Sequence, residues 1–493
     1  MCHISNWPND CFQNILFTSS ASFVIYVRHS HQSSFKLNIE YNDGMKDRLL
    51  TIFRIKPGEL NLVFALGIIL LGNYAAMGIT KVIAVSGFLS EVKEQYILLV
   101  WAVDMVLLIL ATGLQSLIID RFNRIKLLMA VLLIFSGLYA LLPLFFMFNL
   151  IPESISYTLT YLLNDQQWRF FPVVFWILVN DIFDPAAGRR LLPVIANFAF
   201  VGTILGLGVA SLDARVDIGP VKLLYLNAAI FLGGFALAYF GLRKVRIVRA
   251  HRTAVSIGET LSAGWNFIKT VPAFAYQSLG MLAAGAVMTI LLYDTLSDAH
   301  IDLGDGFQSF YANYSLLIAV GSIMLQSLTS RITEKLSLKN SFLVQPVVMT
   351  VATVLNFFIP GVSSSAAAHG VARVSYDTLD QSNRKAFQAL VPNEKRGRVS
   401  MFIDGYLPSL GTIVGSLITF GIISAGIGLS LTRGVFSWIY LGFGVVLSLL
   451  ALWAVSRVRR TYDESMLNWK LKRRTRGSSG VLDKLGFLDG DEE

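Results

Sequence analysis

Apolar residues run along this chain in blocks of about twenty, the length an α-helix needs to cross the hydrocarbon of a bilayer, and short polar or basic stretches separate one block from the next. The blocks fall at 60–83, 96–119, 127–149, 159–183, 191–212, 221–242, 272–293, 307–329, 341–360, 363–386, 399–424 and 434–456. The pattern predicts an all-α membrane protein with about twelve transmembrane helices. The fourth and tenth blocks are the most polar, at 164–169 and 373–384.

The longest interruption, 242–269, has six blocks on either side. Arg243, Lys244, Arg246, Arg249 and Arg252 stand together in it. Ile257, Leu261, Trp265 and Ile268 then recur at spacings of four, four and three, which predicts a short amphipathic helix lying along a membrane surface or, equally, a solvated linker helix. Ser256 and Glu259 would form a capping box at its start.

Shifting the chain by 209 residues superimposes Gly202 and Gly206 on Gly411 and Gly415, Arg189 on Arg398, and Lys126 on Lys335. The repeat predicts two pseudo-symmetric six-helix halves, 45–242 and 272–456, with a cytoplasmic linker at 243–271 and a cytoplasmic tail at 457–493 that is expected to be disordered. The Gly pairs would let neighbouring helices approach closely. Residues 1–44 do not conform: they hold no span, and 1–13 contain no Lys or Arg, so they lack the basic start of a signal peptide. A basic run leading into the first span begins at Met45, the expected start of the functional chain.

Composition agrees with a membrane location: 54% of the residues are hydrophobic, 15% charged, and the mean hydropathy is +0.59. The net charge of +9 could suggest a nucleic-acid partner, but the basic residues sit in loops between apolar blocks, as the positive-inside rule requires. No nucleic acid is expected. The loops carrying most Lys and Arg define the cytoplasmic side, so both termini face the cytoplasm of an inner or plasma membrane, and scattered charges such as Lys93, Arg169 and Arg433 fall to the opposite loops. Cys2 and Cys11 precede every span, so no disulfide framework or thiol metal site is supported. His29 and His31 are weak metal ligands by themselves; no metal and no cofactor is expected. Neither a zinc-protease helix, a phosphate-binding loop nor a nucleophile elbow occurs, and an enzyme is not expected.

A charge at bilayer depth costs roughly 2.5 to 3.5 kcal/mol on insertion scales, so each is a candidate for function. His369, Arg373 and Asp377, then Asp380 and Arg384, follow at spacings that place all five on one helix stripe, with Arg373–Asp377 and Asp380–Arg384 as pairs within the helix. The stripe could serve a solute or proton path, or hold the halves together. Asn73 and Lys81 lie near one face of the first span; Lys81 could meet an anion in a central cavity or snorkel to headgroups. Asn180 is a further solute-binding candidate, and Asp104, Asp181, Asn227, Asp294, Asn313, Tyr314, Asn356 and Asp404 are other buried polar positions.

The loop after the second span reads L-I-I-D-R-F-N-R-I-K at 117–126. Asp120 with Arg121, Arg124 and Lys126 resembles the cytoplasmic loop motif of the major facilitator superfamily, with Asn123 where the family has glycine. A second segment, F-W-I-L-V-N-D-I-F-D-P-A-A-G-R-R-L-L-P at 175–193, resembles the ATP/ADP carrier branch of that superfamily, the bacterial and plastid nucleotide transporters. Phe175, Trp176, Asn180, Arg189, Arg190 and Pro193 fit; Ala187 replaces the family's Glu. The run from Leu390 through Arg396 and Arg398 to Asp404 and Gly405 is similar to the matching loop of the second half. The resemblance implies a secondary active transporter, a monomer, that moves a small polar solute by alternating access. The implied solute is a nucleotide or related phosphorylated anion, and Asp120, Arg121, Arg124, Arg189, Arg190, Arg396 and Arg398 would form the cytoplasmic gate. A permease for an unrelated solute, and a non-transporting membrane sensor or scaffold, are the alternatives.

Overall fold

The computed structural model describes residues 55–56, 58–119, 122–216, 218–243, 245, 257–388, 391, 399–400 and 402–486. The start at Met45, the capping residue Ser256, most of the central basic cluster, and Asp120, Arg121, Arg396 and Arg398 lie outside the described residues. The chain divides into units 1–57 and 58–493, and the helices among the described residues belong to the second.

The first half contains α1 (Leu60–Glu91), α2 (Ile97–Ile119), α3 (Arg124–Phe148), α4 (Glu153–Ile182), α5 (Pro185–Val216) and α6 (Pro220–Leu242). The linker helix α7 spans Ile257–Thr270. The second half contains α8 (Pro272–Leu303), α9 (Phe307–Leu336), α10 (Val344–Phe358), α11, α12 (Leu407–Gly428) and α13 (Arg433–Gly486). α11 is one rod in three segments, Val362–Ser375, a π-helical turn Tyr376–Asp380, and Gln381–Gln388. A second π-helical turn, Phe402–Tyr406, leads into α12. Each of the twelve predicted blocks has a helix at its position among the described residues.

Local chemistry sets several boundaries. The Asn123 side chain accepts from the backbone N–H groups of Ile125 and Lys126 and so caps α3. Pro220 and Pro272 open α6 and α8, where a missing N–H costs nothing. Asn149, in the left-handed conformation, ends α3.

The repeat is visible in the packing. Gly202 and Gly206 of α5 lie against the carbonyls of Leu71 and Ala75 in α1, and Gly411 and Gly415 of α12 lie against those of Leu282 and Ala286 in α8. The partners are displaced by 211 residues where the glycines are displaced by 209. Each half closes in the same way: α1 on α5 and α3 on α6, α8 on α12 and α10 on α13. The halves meet through α2 on α12 and α5 on α9, which the repeat also exchanges. Lys126 and Lys335 match only at the level of the loop, since Lys126 lies in the first turn of α3 and Lys335 in the last turn of α9.

The two ends of the bundle differ. At the end away from the basic loops, one apolar cluster draws on both halves, with Phe88, Leu98 and Leu207 from the first against Leu296, Tyr311 and Ile423 from the second. At the basic end, the apolar cluster belongs to the second half and the linker helix, and Ile109 is its contribution from the first half among the described residues.

Two expectations are corrected. The tail continues α13 as helix to Gly486; the polar composition that suggested disorder is rich in helix-forming Leu, Lys and Arg, and no proline follows Pro408 to end the rod. The apolar stripe of the linker helix is also split. Ile268 is buried with Phe274 and Phe402, and Gly264 sits against the Phe402 side chain, whereas Trp265 is exposed with the Lys269 ammonium 5.0 Å from its ring centre.

Candidate functional site

Nine segments among the described residues are long and apolar enough to cross a membrane, α8 and α9 counting as one, and the two helices that fall short are α4 and α11. Their deficit is the cost of charge. α4 carries Asp165 and Arg169 in its middle, and α11 carries Arg373, Asp377, Asp380 and Arg384. Arg169 is therefore not one of the scattered loop charges; α4 begins at Glu153 and encloses it, within the block at 159–183.

The α11 stripe separates into two pairs with different surroundings. Arg373 Nε donates to Asp377 Oδ2 at 2.8 Å, and the two side chains are 38% and 36% exposed although they lie in mid-helix. Arg384 Nε lies 2.8 Å from Asp380 Oδ2, and these side chains are only 6% and 10% exposed. The π-helical turn between them is the reason: by widening the hydrogen-bond ring it turns everything beyond it relative to the preceding α-helix. The first pair is thus presented to solvent between helices, and the second is inserted into the second half. There Arg384 lies over the Tyr376 ring at 4.9 Å and approaches Asp404 at 3.7 Å, while Lys385 and Gln388 hold Asp404 at 2.5 and 2.8 Å. Asp380 is enclosed here with Arg384 as its counter-charge.

Around the exposed pair, residues from both halves converge. Lys81 of α1 places its ammonium 5.7 Å from the ring centre of Tyr311 in α9. His369 is buried with its Nδ1 2.6 Å from the Tyr314 hydroxyl, and it lies within electrostatic reach of Arg373 and Lys81. Arg169 lies within the same reach of Arg373, Tyr376, Asp165 and Asp104. Its guanidinium is 4.1 Å from the Trp168 ring centre, and its Nε is buried with no hydrogen-bond partner. Asp104 of α2 accepts from Gln166 at 3.2 Å and faces Asp165. Three cations from three helices therefore border one region, and Arg373 and Arg169 come from opposite halves.

Other candidates lie elsewhere. Asn73 is buried inside the first half, where its carbonyl and side-chain oxygens both accept from Gln167. It supports the scaffold and does not face the cations. Asn180 is exposed in the last turn of α4. Of the predicted gate, Arg124 lies 3.4 Å from Asp181 within the first half, and Arg190 grips both Glu59 oxygens at 2.5 and 2.8 Å; Arg189 lies near the start of α5. At the far end, α5 and α9 are tied by Gln308 donating to Asp213 at 2.6 Å and Ser211 donating to Asn313 at 3.0 Å.

No protein-family model and no curated protein matches the chain. Solved structures do match in shape. A point mutant of the nucleoside transporter NupG superposes with a TM-score of 0.62 at 14% identity over 80% of this chain and 99% of that one. A bacterial homologue of the human lysosomal transporter Spinster, inward-facing and unoccupied, gives 0.59 at 14% identity over 83% and 98%. An auto-inhibited peptide transporter of the POT family gives 0.59 at 12% identity over 80% and 96%. The fold is that of the major facilitator superfamily. At these identities the likeness reaches the backbone alone, and the side chains between the halves are this chain's own.

Asp165 and Arg169 are the residues that a reading of polar blocks missed. Their signal was present in the repeat: Asp165 and Arg169 stand 208 residues before Arg373 and Asp377.

Proposed function

We propose that the chain is a secondary active transporter that carries a small polar solute across a membrane by alternating access, and that the solute is a nucleotide or a related phosphorylated anion. The carrying observation is Arg373: it is held in mid-membrane between the halves, and its hydrogen bond among the described residues uses Nε alone. The Nη edge is left for a phosphate or carboxylate, which a guanidinium grips in bidentate fashion. Lys81 and Arg169 supply further positive charge, and the surrounding apolar helices reduce screening. The major facilitator fold supports rocking of one half against the other. Apolar closure at the far end, with Arg373 reachable by solvent, supports an inward-facing state if the basic loops are cytoplasmic, as the positive-inside rule requires. On this reading both termini are cytoplasmic and one chain is the transport unit.

Uptake into proteoliposomes, against a panel of nucleotides, nucleosides, other organic anions and peptides and normalised to folded protein, tests the reading. Arg373→Lys keeps the charge and the fold but loses the fork, so uptake of the phosphorylated solute should fall by about tenfold or more, a loss of about 1.4 kcal/mol. Unchanged kinetics for every solute the parent carries would remove Arg373 from the site. Uptake of neutral solutes alone would replace the anion by another class.

A further inference from the structure

α4 and α11 are equivalent helices in the repeat, and both run from the far end of the bundle toward the basic end. At a displacement of 208 residues, one fewer than the 209 of the glycines that follow the extra residue of the π-helical turn Tyr376–Asp380, Asp165 corresponds to Arg373 and Arg169 to Asp377. Each helix thus carries one acid and one base four residues apart, a spacing that allows pairing within the helix, but the order is reversed. Under a pseudo-twofold axis between the halves, equivalent positions lie at one depth and face each other. Reversed polarity then puts an acid opposite a base at both levels.

In the present state these cross-half partners are not joined. Arg373 is bonded within its own helix to Asp377 at 2.8 Å. Arg169, whose buried Nε lacks a hydrogen-bond partner, lies in electrostatic reach of Asp165 and Asp104 in its own half and of the like-charged Arg373 across the halves. Two arginines facing across the halves repel, and a buried unpaired donor is costly. Either an anion between them or a new carboxylate for each relieves both penalties. Closing the basic end brings the lower parts of α4 and α11 together, and each arginine then meets the carboxylate of the other half.

We propose that Asp165 and Arg169 are the second half of the solute site, and that the two pairs exchange partners when the basic end closes: Arg169 joins Asp377, and Asp165 joins Arg373. A bound anion competes with this exchange for the same two arginines. The assignment rests on the transport reading, but the exchange can be measured without any solute.

The test reverses the polarity of one helix. Asp165→Arg with Arg169→Asp preserves net charge and the four-residue pairing within α4, yet sets like against like across the halves. Spin labels on Asn180→Cys and Ala386→Cys, both exposed near the basic ends of α4 and α11, report the separation in protein whose Cys2 and Cys11 are replaced by Ser. The parent should show a short-distance population. Reversing α4 should reduce it by about tenfold or more, because juxtaposed like charges oppose closure. Adding Arg373→Asp with Asp377→Arg should restore it. A short-distance population unchanged by the α4 reversal, or one that the four-fold reversal fails to restore in folded protein, overturns the exchange. Should the reversed helix not fold, Arg169→Cys with Asp377→Cys under mild oxidant decides: cross-linking supports the exchange, and its absence in folded protein refutes it. Failure of anion uptake with these distances intact would instead strike the solute reading.

Discussion

The two halves share one scaffold and fill it with different chemistry. In the first, a buried network joins Thr80 of α1, Tyr139 of α3 and Asn227 of α6: Asn227 donates to Thr80 at 2.7 Å, Thr80 to the Tyr139 hydroxyl at 3.2 Å, and Tyr139 to Gln167 at 2.5 Å. In the second, the equivalent helices α8, α10 and α13 bring Asp294, Asn356 and Tyr440 together, with Tyr440 and Asn356 donating to the two Asp294 oxygens at 2.6 and 2.7 Å. The same three helices are stapled at a similar place, once by neutral groups and once around a carboxyl. Both networks pair most of their buried polar groups, as burial requires, although Asn227 Oδ1 has no hydrogen-bond partner, and they are not equally tolerant of damage. A neutral hydroxyl that loses a partner costs about 1 kcal/mol, whereas a buried carboxyl leaves a more expensive orphan. The basic ends differ likewise: Arg384 is enclosed by Asp380, Asp404 and Tyr376 in the second half, while the first half has the more accessible Arg190–Glu59 pair. In the second half these networks enclose charge, whereas the internal charges of the first half, Asp104, Asp165 and Arg169, lie in α2 and α4 outside its neutral network.

The largest expected effect tests the part the halves share. A Cβ at Gly206 would drive into the Ala75 carbonyl more deeply than one at Gly415 would into that of Ala286, where it would lie 2.8 Å away. Gly206→Val should abolish folded protein in detergent gel filtration, and Gly415→Ala should leave a folded species weakened by about 1 to 3 kcal/mol, the usual range for overpacking. A Gly206→Ala protein that loses no more than Gly415→Ala would mean that the two crossings are equally tight. A smaller effect sharpens the contrast between the networks. Tyr440→Phe should destabilise by about 1.5 to 3 kcal/mol, because a charge-capable acceptor loses its donor, and Tyr139→Phe by about 1 kcal/mol. Thermal unfolding in one detergent gives both; a larger loss for Tyr139→Phe would reverse the assignment of the costlier network. The smallest effect lies at the rim. Lys385 is 59% exposed beside Asp404, so Lys385→Gln should change stability by less than about 1 kcal/mol, while Arg384→Met leaves Asp380 enclosed without its cation and should cost about 3 to 5 kcal/mol. If the two variants melt together, the Asp404 cluster is held by its surface member.

These contrasts were partly legible before any coordinates. Positions 202, 206, 411 and 415 announced the helix crossings because a close approach of backbones admits only small residues, and such positions recur wherever the crossing recurs. The pairs Arg373–Asp377 and Asp380–Arg384 followed from a four-residue spacing that belongs to any helix. The π-helical turn between them was not legible, since it depends on what packs against α11, and it is what parts an exposed pair from an enclosed one. Arg169 falls inside the fourth apolar block, and a rule that assigns every Lys and Arg to a loop fails where a helix lines a polar space.

The chain by itself determined a twelve-helix membrane protein, its central linker and its repeat, because each follows from local composition and periodicity. Only the tertiary structure decided that Asn73 belongs to a scaffold network, that Glu59 and Asp181 are the partners of Arg190 and Arg124, and that Lys81, Arg169 and Arg373 border one region. Those facts depend on contacts between residues about sixty to three hundred positions apart, and no local pattern fixes which side chains a folded bundle brings within a few ångströms of each other.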